Sequence, residues 1–100
     1  MERPRSVGMA WYRAEDYARL REVVEDAARL PASFEAWRAS AEQVEREVAR
    51  SGVAVVRVTV EPEAFLAWCR HHDQAPNGAA RSRYANEAAQ RKGEATPDAG

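Results

Sequence analysis

A run of valines in the second half of the chain constrains the fold more than any other feature. Residues 53–60 read Val-Ala-Val-Val-Arg-Val-Thr-Val, and β-branched residues of this kind favour strands. One side of such a strand is wholly apolar, whereas Arg57 and Thr59 interrupt the other side. The pattern predicts a strand in a small sheet that is covered mainly on one face.

Weaker signals on both sides of this run predict the other elements. Val7, Met9 and Trp11 alternate with small residues, which indicates a second strand. Helical periodicity or helix-start residues occur in four stretches, at about 15–30, 34–50, 61–72 and 79–91. The last stretch has only a thin apolar stripe, so we expect it to be little buried. The predicted class is therefore α+β, a small two-stranded sheet (about 6–12 and 53–60) packed with four helices in the order β-α-α-β-α-α.

Length and composition limit the domain organisation and the setting. A chain of 100 residues forms one domain, here 6–91, with a flexible lead at 1–5 and a disordered tail at 92–100. No apolar run is long enough for a signal peptide or a membrane span, and Cys69 has no second cysteine with which to form a disulfide. We therefore expect a cytoplasmic protein. A net charge of −1 indicates neither a nucleic-acid partner nor a membrane surface.

The predicted sheet is too small to be stable by itself. Two strands rarely form an independent sheet, and a long apolar strand leaves an edge that other strands can join. Pairing that edge with a second copy would satisfy both needs. The sequence thus predicts a homodimer.

Arg57 is the most informative polar residue of the predicted strand. A guanidinium on an otherwise apolar strand pairs with a carboxylate, reaches solvent, or binds an anion. The leading interpretation is an ion pair with Glu or Asp of a covering helix. The anion site stays as an alternative.

Five residues form the predicted binding set: Tyr12, Arg57, Trp68, Arg81 and Arg83. Tyr12 and Trp68 lie off the best apolar faces and could stack on bases, although packing is the commoner role of such aromatics. Arg81 and Arg83 belong to a basic tract on the last helix, whose simpler interpretation is a solvated face.

Cys69 and His72 are the weak candidates for metal or nucleophilic chemistry. On a helix they lie three residues apart on one face, but a structural zinc site needs four protein ligands and a catalytic site usually three. A cysteine nucleophile also needs an oriented base. We predict no catalytic residue, no metal site and no cofactor.

Short motifs spread along the chain resemble a family of short bacterial hypothetical proteins, over about residues 8 to 88. They are Trp11-Tyr12-Arg13, Asp16-Tyr17, Leu30-Pro31, Phe34, Trp37, Val56-Arg57-Val58, Pro62, Phe65, Ala67-Trp68-Cys69, Ala80-Arg81 and Tyr84-Ala85. The resemblance implies a self-contained domain and transfers no catalytic residue, because that family has no established function. A bacterial origin also fits the basic residues, of which Lys92 alone is a lysine.

The leading functional hypothesis is a small non-enzymatic accessory or interaction protein. It would self-associate, or bind another protein, through the sheet edge or the Trp68 surface. The alternative is a nucleic-acid or anion-binding module that uses Arg57, Arg81 and Arg83. A small enzyme dependent on Cys69 is the third hypothesis.

Overall fold

The computed structural model describes residues 6–95 and confirms the α+β class and the order of elements. Two parallel strands form one sheet, so the strand direction that the sequence left open is parallel. The elements in chain order are β1 (Ser6–Trp11), α1 (Ala14–Val23), a single 3-10 turn (Ala27–Arg29), α2 (Phe34–Arg50), β2 (Ala54–Thr59), α3 (Pro62–His71) and α4 (Gly78–Ala95). The predicted lead at 1–5 lies outside the described residues.

The two strands pair in continuous register from Ser6 opposite Ala54 to Trp11 opposite Thr59. Just beyond the ladder, the Val60 N–H donates to the Trp11 carbonyl oxygen at 2.9 Å. A parallel pair needs a long crossover between its strands, and α1 and α2 supply it. The sheet is therefore built from segments far apart in the sequence.

Helix α4 packs on the sheet much more closely than its thin apolar stripe suggested. Ala80, Arg81 and Ala85 are all buried, so the expectation of little burial is wrong. Gly8 makes the close approach possible, because a Cβ built there would lie 2.2 Å from the Ala85 carbonyl oxygen. The helix also continues to Ala95, past Arg91, where it was expected to end. Residues 96–100 of the predicted tail lie outside the described part.

Helix α1 is shorter than predicted, since it ends at Val23 instead of continuing to Leu30. Val24 is extended, with φ −92° and ψ 145°. The next N–H, from Glu25, donates to the Pro76 carbonyl oxygen at 2.9 Å. A tertiary hydrogen bond to the loop before α4 thus replaces a helical one, and this competition is invisible to a periodicity argument.

An aromatic cluster around Trp37 forms one half of the core. The Trp37 ring centroid lies 4.6 Å from that of Tyr12 and 5.1 Å from that of Trp11. Tyr17 and Phe34 complete the group at 6.1 and 5.5 Å. Pairs at these separations contribute beyond the area they bury. Ser33 caps the start of α2, because its hydroxyl oxygen accepts the Ala36 N–H at 3.1 Å.

The other half of the core lies under α3. Phe65 and Cys69 of this helix are buried together with Val60 and Leu20. The helix begins as predicted at Glu61-Pro62, with the Glu61 carboxylate accepting the Ala64 N–H at 2.9 Å. The valine run thus reaches the core mainly through Val60, the residue after β2.

Candidate functional site

The outer edge of β2 is the most distinctive surface of the sheet. Backbone groups of successive strand residues point to opposite edges, and Val60 points its N–H at β1. The N–H and C=O groups of Val55, Arg57 and Thr59 therefore point away from β1. Neither the backbone of residues 6–95 nor any side chain of residues 6–91 forms a hydrogen bond with them. This edge, the backbone of residues 55, 57 and 59, is called the β2 edge below.

The outer edge of β1, in contrast, is occupied by α4 at Gly8. The Gly8 N–H, which points away from β2, donates to the Asn86 side-chain oxygen of α4 at 2.8 Å. The backbone of α4 also crosses directly over Gly8. At β1, α4 therefore takes a backbone group that an additional strand would need, whereas at β2 no outward group is taken within the described residues.

Arg57 is held by two partners on the α2 side of the sheet. Its guanidinium donates two hydrogen bonds to the Glu45 carboxylate, at 2.8 and 2.7 Å. It also lies over the Trp11 ring, 3.8 Å from the centroid. The interpretation of Arg57 as the partner of a carboxylate from a covering helix is confirmed. Nothing in the sequence indicates which carboxylate this is.

The electrostatics of this pair agree with its geometry. Hydrogen bonding to Arg57 holds the pKa of the Glu45 carboxyl below its ordinary value. Trp11 belongs to β1, so the guanidinium lies back across the sheet and away from the β2 edge. The guanidinium of Arg57, the central residue of the β2 edge, therefore does not project from that edge.

Arg81 and Tyr12 lie in the interior, not on the surface that the predicted binding set assumed. Arg81 is 7 % exposed and donates two hydrogen bonds to Asp26, at 2.9 and 3.0 Å. Tyr12 is 4 % exposed, and burial raises the pKa of its phenol, an effect that the adjacent Arg81 opposes. Hydrogen bonding to Arg81 lowers the pKa of Asp26. The three residues fasten α4 to the segment after α1.

Trp68 and Arg83 do form part of the surface. Trp68 is half-buried and stacks on His72, with ring centroids 4.3 Å apart. The Arg83 guanidinium lies 5.5 Å from the Trp68 centroid and donates to Glu87 at 2.9 Å. The structure thus brings Trp68 and Arg83 together, while Arg57 lies elsewhere beside Trp11 and Glu45.

Cys69 and His72 have structural partners. Cys69 is buried, and this burial raises the pKa of its thiol. The His72 Nδ1 lies 2.9 Å from the Trp68 carbonyl oxygen, the geometry of a hydrogen bond within the helix. In the part of the chain that the structure describes, no group of three or more His, Cys, Asp or Glu side chains is arranged to hold a metal ion.

Comparison with known proteins identifies a family. The family model described as Domain of unknown function (DUF8829) matches residues 1–100. The chain belongs to this family. The match agrees with a resemblance to a family without an established function. No curated protein and no solved structure matches the chain. Between residues 6 and 95, no helix has both the length and the hydropathy needed to cross a membrane.

Proposed function

We propose that this DUF8829 chain is a non-enzymatic interaction protein that self-associates by pairing the β2 edge with that of a second copy. The product is a homodimer with a continuous four-stranded sheet. The setting is a bacterial cytoplasm, which the single unpaired cysteine favours. The observation that carries the proposal is the contrast between a β1 edge that α4 occupies at Gly8 and a β2 edge whose outward groups have no partner in the described residues.

The β2 edge lacks the devices by which monomeric proteins protect an edge strand. Such edges usually carry proline, lysine or a bulge, or are covered by another element. Residues 54–59 contain neither proline nor lysine, and their register with β1 is unbroken. The one charged side chain, Arg57, is drawn away from the edge by Glu45 and Trp11. The β2 edge thus lacks these obstacles to pairing with another strand.

A twofold arrangement allows two copies of β2 to pair without repulsion. In an antiparallel pair centred on Val56, Val56 lies opposite its own copy and Arg57 lies opposite Val55 of the second copy. Thr59 then lies opposite Val53. A pair centred on Arg57 would place two guanidinium groups side by side, which is unfavourable. The Val56-centred register is the one we propose.

The decisive variant is Thr59→Pro, with Thr59→Ala as its matched control. Thr59 is exposed at the end of β2, and proline removes an N–H that points outward and is not used within the chain. Alanine changes the same side chain and keeps that N–H. In sedimentation experiments across a concentration range, we expect dimers for the natural chain and Thr59→Ala. For Thr59→Pro we expect at least about tenfold weaker association.

A second measurement does not depend on the folding of the variant. In the natural chain, pairing protects the amide hydrogens of Val55, Arg57 and Thr59 from exchange, and this protection should disappear on dilution to monomer. A natural chain that remains monomeric at high concentration would refute the proposal. So would a dimer in which these three amides exchange as fast as in the monomer.

Nucleic-acid binding has weaker support, because each arginine assigned to it already has a carboxylate partner. Arg57 bonds Glu45, Arg81 bonds Asp26, and Arg83 bonds Glu87. A guanidinium that is already paired with a carboxylate neutralises little phosphate charge, so it displaces few counterions from the nucleic acid. Affinity for generic DNA or RNA that falls steeply with salt would favour this alternative over self-association.

A further inference from the structure

A cleft lined by residues of α1 and of the start of α2 differs in character from the β2 edge. It lies between α1 and the start of α2, has a volume of about 690 Å³, and falls within the size range of small-molecule sites. Tyr17, Phe34 and several alanines form apolar walls, while Arg21 and Ser33 supply polar groups. Apolar walls with a few polar groups are typical of a site for a small organic molecule.

Arg21 is the unusual residue of this cleft. Its Nε is buried and has no hydrogen-bond partner, the one such side-chain nitrogen or oxygen found among residues whose side chains are described. Arg21 also has no ion pair within those residues, whereas Arg19 on the same helix bonds Glu63 at 2.6 Å. An N–H that is buried without an acceptor costs free energy, which a bound acceptor would recover. An oxygen atom of a bound ligand would supply the acceptor that this N–H lacks.

The first turn of α2 adds hydrogen-bond donors to the same cleft. Ser33 accepts the Ala36 N–H through its hydroxyl and the Trp37 N–H through its carbonyl. In the described residues, the N–H groups of Phe34 and Glu35 have no acceptor, and both residues line the cleft. Helix starts attract negative charge through such groups and through the helix dipole. Arg21 and the start of α2 thus favour the same kind of ligand.

We propose that this cleft binds a small organic oxyanion, a carboxylate or phosphate group on an apolar body. Arg21 donates to the oxyanion together with the first turn of α2, and the apolar body packs between Tyr17 and Phe34. This site is independent of the dimer proposed above.

The two carboxylates of the cleft restrict the charge of the ligand. Glu22 and Glu35 are both exposed, and Glu22 is turned toward Arg19, with 3.4 Å between the pair. Exposed carboxylates are screened by solvent, so they do not prevent binding of a single negative charge. They do oppose a second or third charge. The cleft should therefore prefer a monoanion.

The probes are benzoate and phenyl phosphate, which carry the two oxyanions on one apolar body. Acetate and inorganic phosphate lack that body and serve as controls. An N–H correlation NMR spectrum follows the Arg21 Nε–H signal directly. We expect this signal to shift saturably with benzoate, with a Kd of about 1 mM or tighter, and at least about tenfold more weakly with acetate. Phenyl phosphate is mostly a dianion at neutral pH, so we expect benzoate to bind more tightly, which would assign a carboxylate ligand. Tighter binding of phenyl phosphate would instead assign a phosphate ligand and contradict the preference for a monoanion.

Arg21→Gln tests the role of the guanidinium, and Arg50→Gln is its matched control. Arg50 is an exposed arginine at the far end of α2, so its change alters net charge equally without altering the cleft. We expect at least about tenfold loss of benzoate affinity for Arg21→Gln and less than about twofold for Arg50→Gln. The amide signals of Phe34 and Glu35 should follow the same titration.

Three results would overturn the proposal. They are an absence of saturable shifts with both aromatic probes, equal affinities in the two glutamine variants, and shifts that avoid Phe34 and Glu35. The Thr59→Pro variant separates this site from the dimer, because its binding of benzoate should equal that of the natural chain. Failure of the dimer and failure of the anion site are thus seen in different measurements.

Discussion

The close contact between β1 and α4 leads to a sharp prediction for Gly8→Ala. The added Cβ would lie 2.2 Å from the Ala85 carbonyl oxygen and 3.0 Å from the Ala89 Cβ. Ordinary contacts begin at 3.4 Å, so α4 must withdraw by about 1.2 Å. The withdrawal also stretches the 2.8 Å bond from the Gly8 N–H to Asn86. Overpacking and the lost bond together should reduce the free energy of unfolding by about 2–4 kcal/mol.

Urea unfolding followed by circular dichroism measures this loss, which for a chain of this size lowers the midpoint by about 2 M. Gly78→Ala, at the first residue of α4, is the control. Its Cβ would meet the Asp26 carboxylate at 3.3 Å, a contact that a shift of a few tenths of an ångström relieves, so we expect a change within about 1 kcal/mol. Gly8 has no positive φ, so backbone strain does not contribute to its effect. A loss for Gly8→Ala no larger than that of the control would refute the packing argument.

Three further predictions concern ion pairs and the aromatic core. Asp26→Asn should cost about 3 kcal/mol at neutral pH, because it leaves Arg81 buried without its charge partner. Because Arg81 lowers the pKa of Asp26 in the folded protein, the ion pair stabilises fully above the pKa of Asp26 in the unfolded chain and is lost as pH falls through the folded-state pKa. The difference in unfolding free energy between Asp26→Asn and the natural chain should therefore shrink below about pH 4. Urea unfolding at several pH values measures this difference. Glu45→Gln should cost at most about 1 kcal/mol, because its pair with Arg57 is solvent-exposed, and a larger loss in thermal unfolding would contradict that view. Trp37→Ala should cost about 3–5 kcal/mol in the same assay, and a loss under about 1 kcal/mol would show that the aromatic cluster is not a stabilising core.

Local signals were reliable where the deciding partner lies within one helical turn. The Ser33 cap acts on Ala36, and Glu61 caps Ala64 just before the predicted proline start. Both follow from side chains that reach N–H groups two or three residues ahead. The same locality explains why the valine run gave a strand, since β-branching restricts its own backbone. These parts of the fold could be read from neighbouring residues.

The misses involve partners distant in the sequence. The N–H of Glu25 is taken by Pro76, so α1 ends before its periodicity does. Arg81 has an acceptor 55 residues away in Asp26, and this turns a predicted surface arginine into a buried one. A periodic pattern does not contain the identity of such partners, because packing selects them only when the elements assemble.

The same distinction between local and distant partners applies to the candidate sites. The sequence predicted an unpaired edge at the valine strand, because a sheet of two strands leaves its edges unpaired. It also predicted a carboxylate partner for Arg57, because a guanidinium interrupts an otherwise apolar strand. The Arg21 cleft was missed, because Arg21 resembles any other arginine of α1 until its lack of an acceptor is visible. An unsatisfied group is a property of its neighbours, so only the assembled structure reveals it.

By itself, the sequence determined the kinds of element and their order, because periodicity, caps and β-branching act within a few residues. The tertiary structure decided that the strands are parallel, that α4 occupies the β1 edge at Gly8 and that the β2 edge remains open in the described residues. The bond between α4 and the β1 edge joins residues 78 positions apart, from Gly8 to Asn86. That bond exists because a glycine without a Cβ lets a helix backbone approach, and such an approach depends on the fold as a whole.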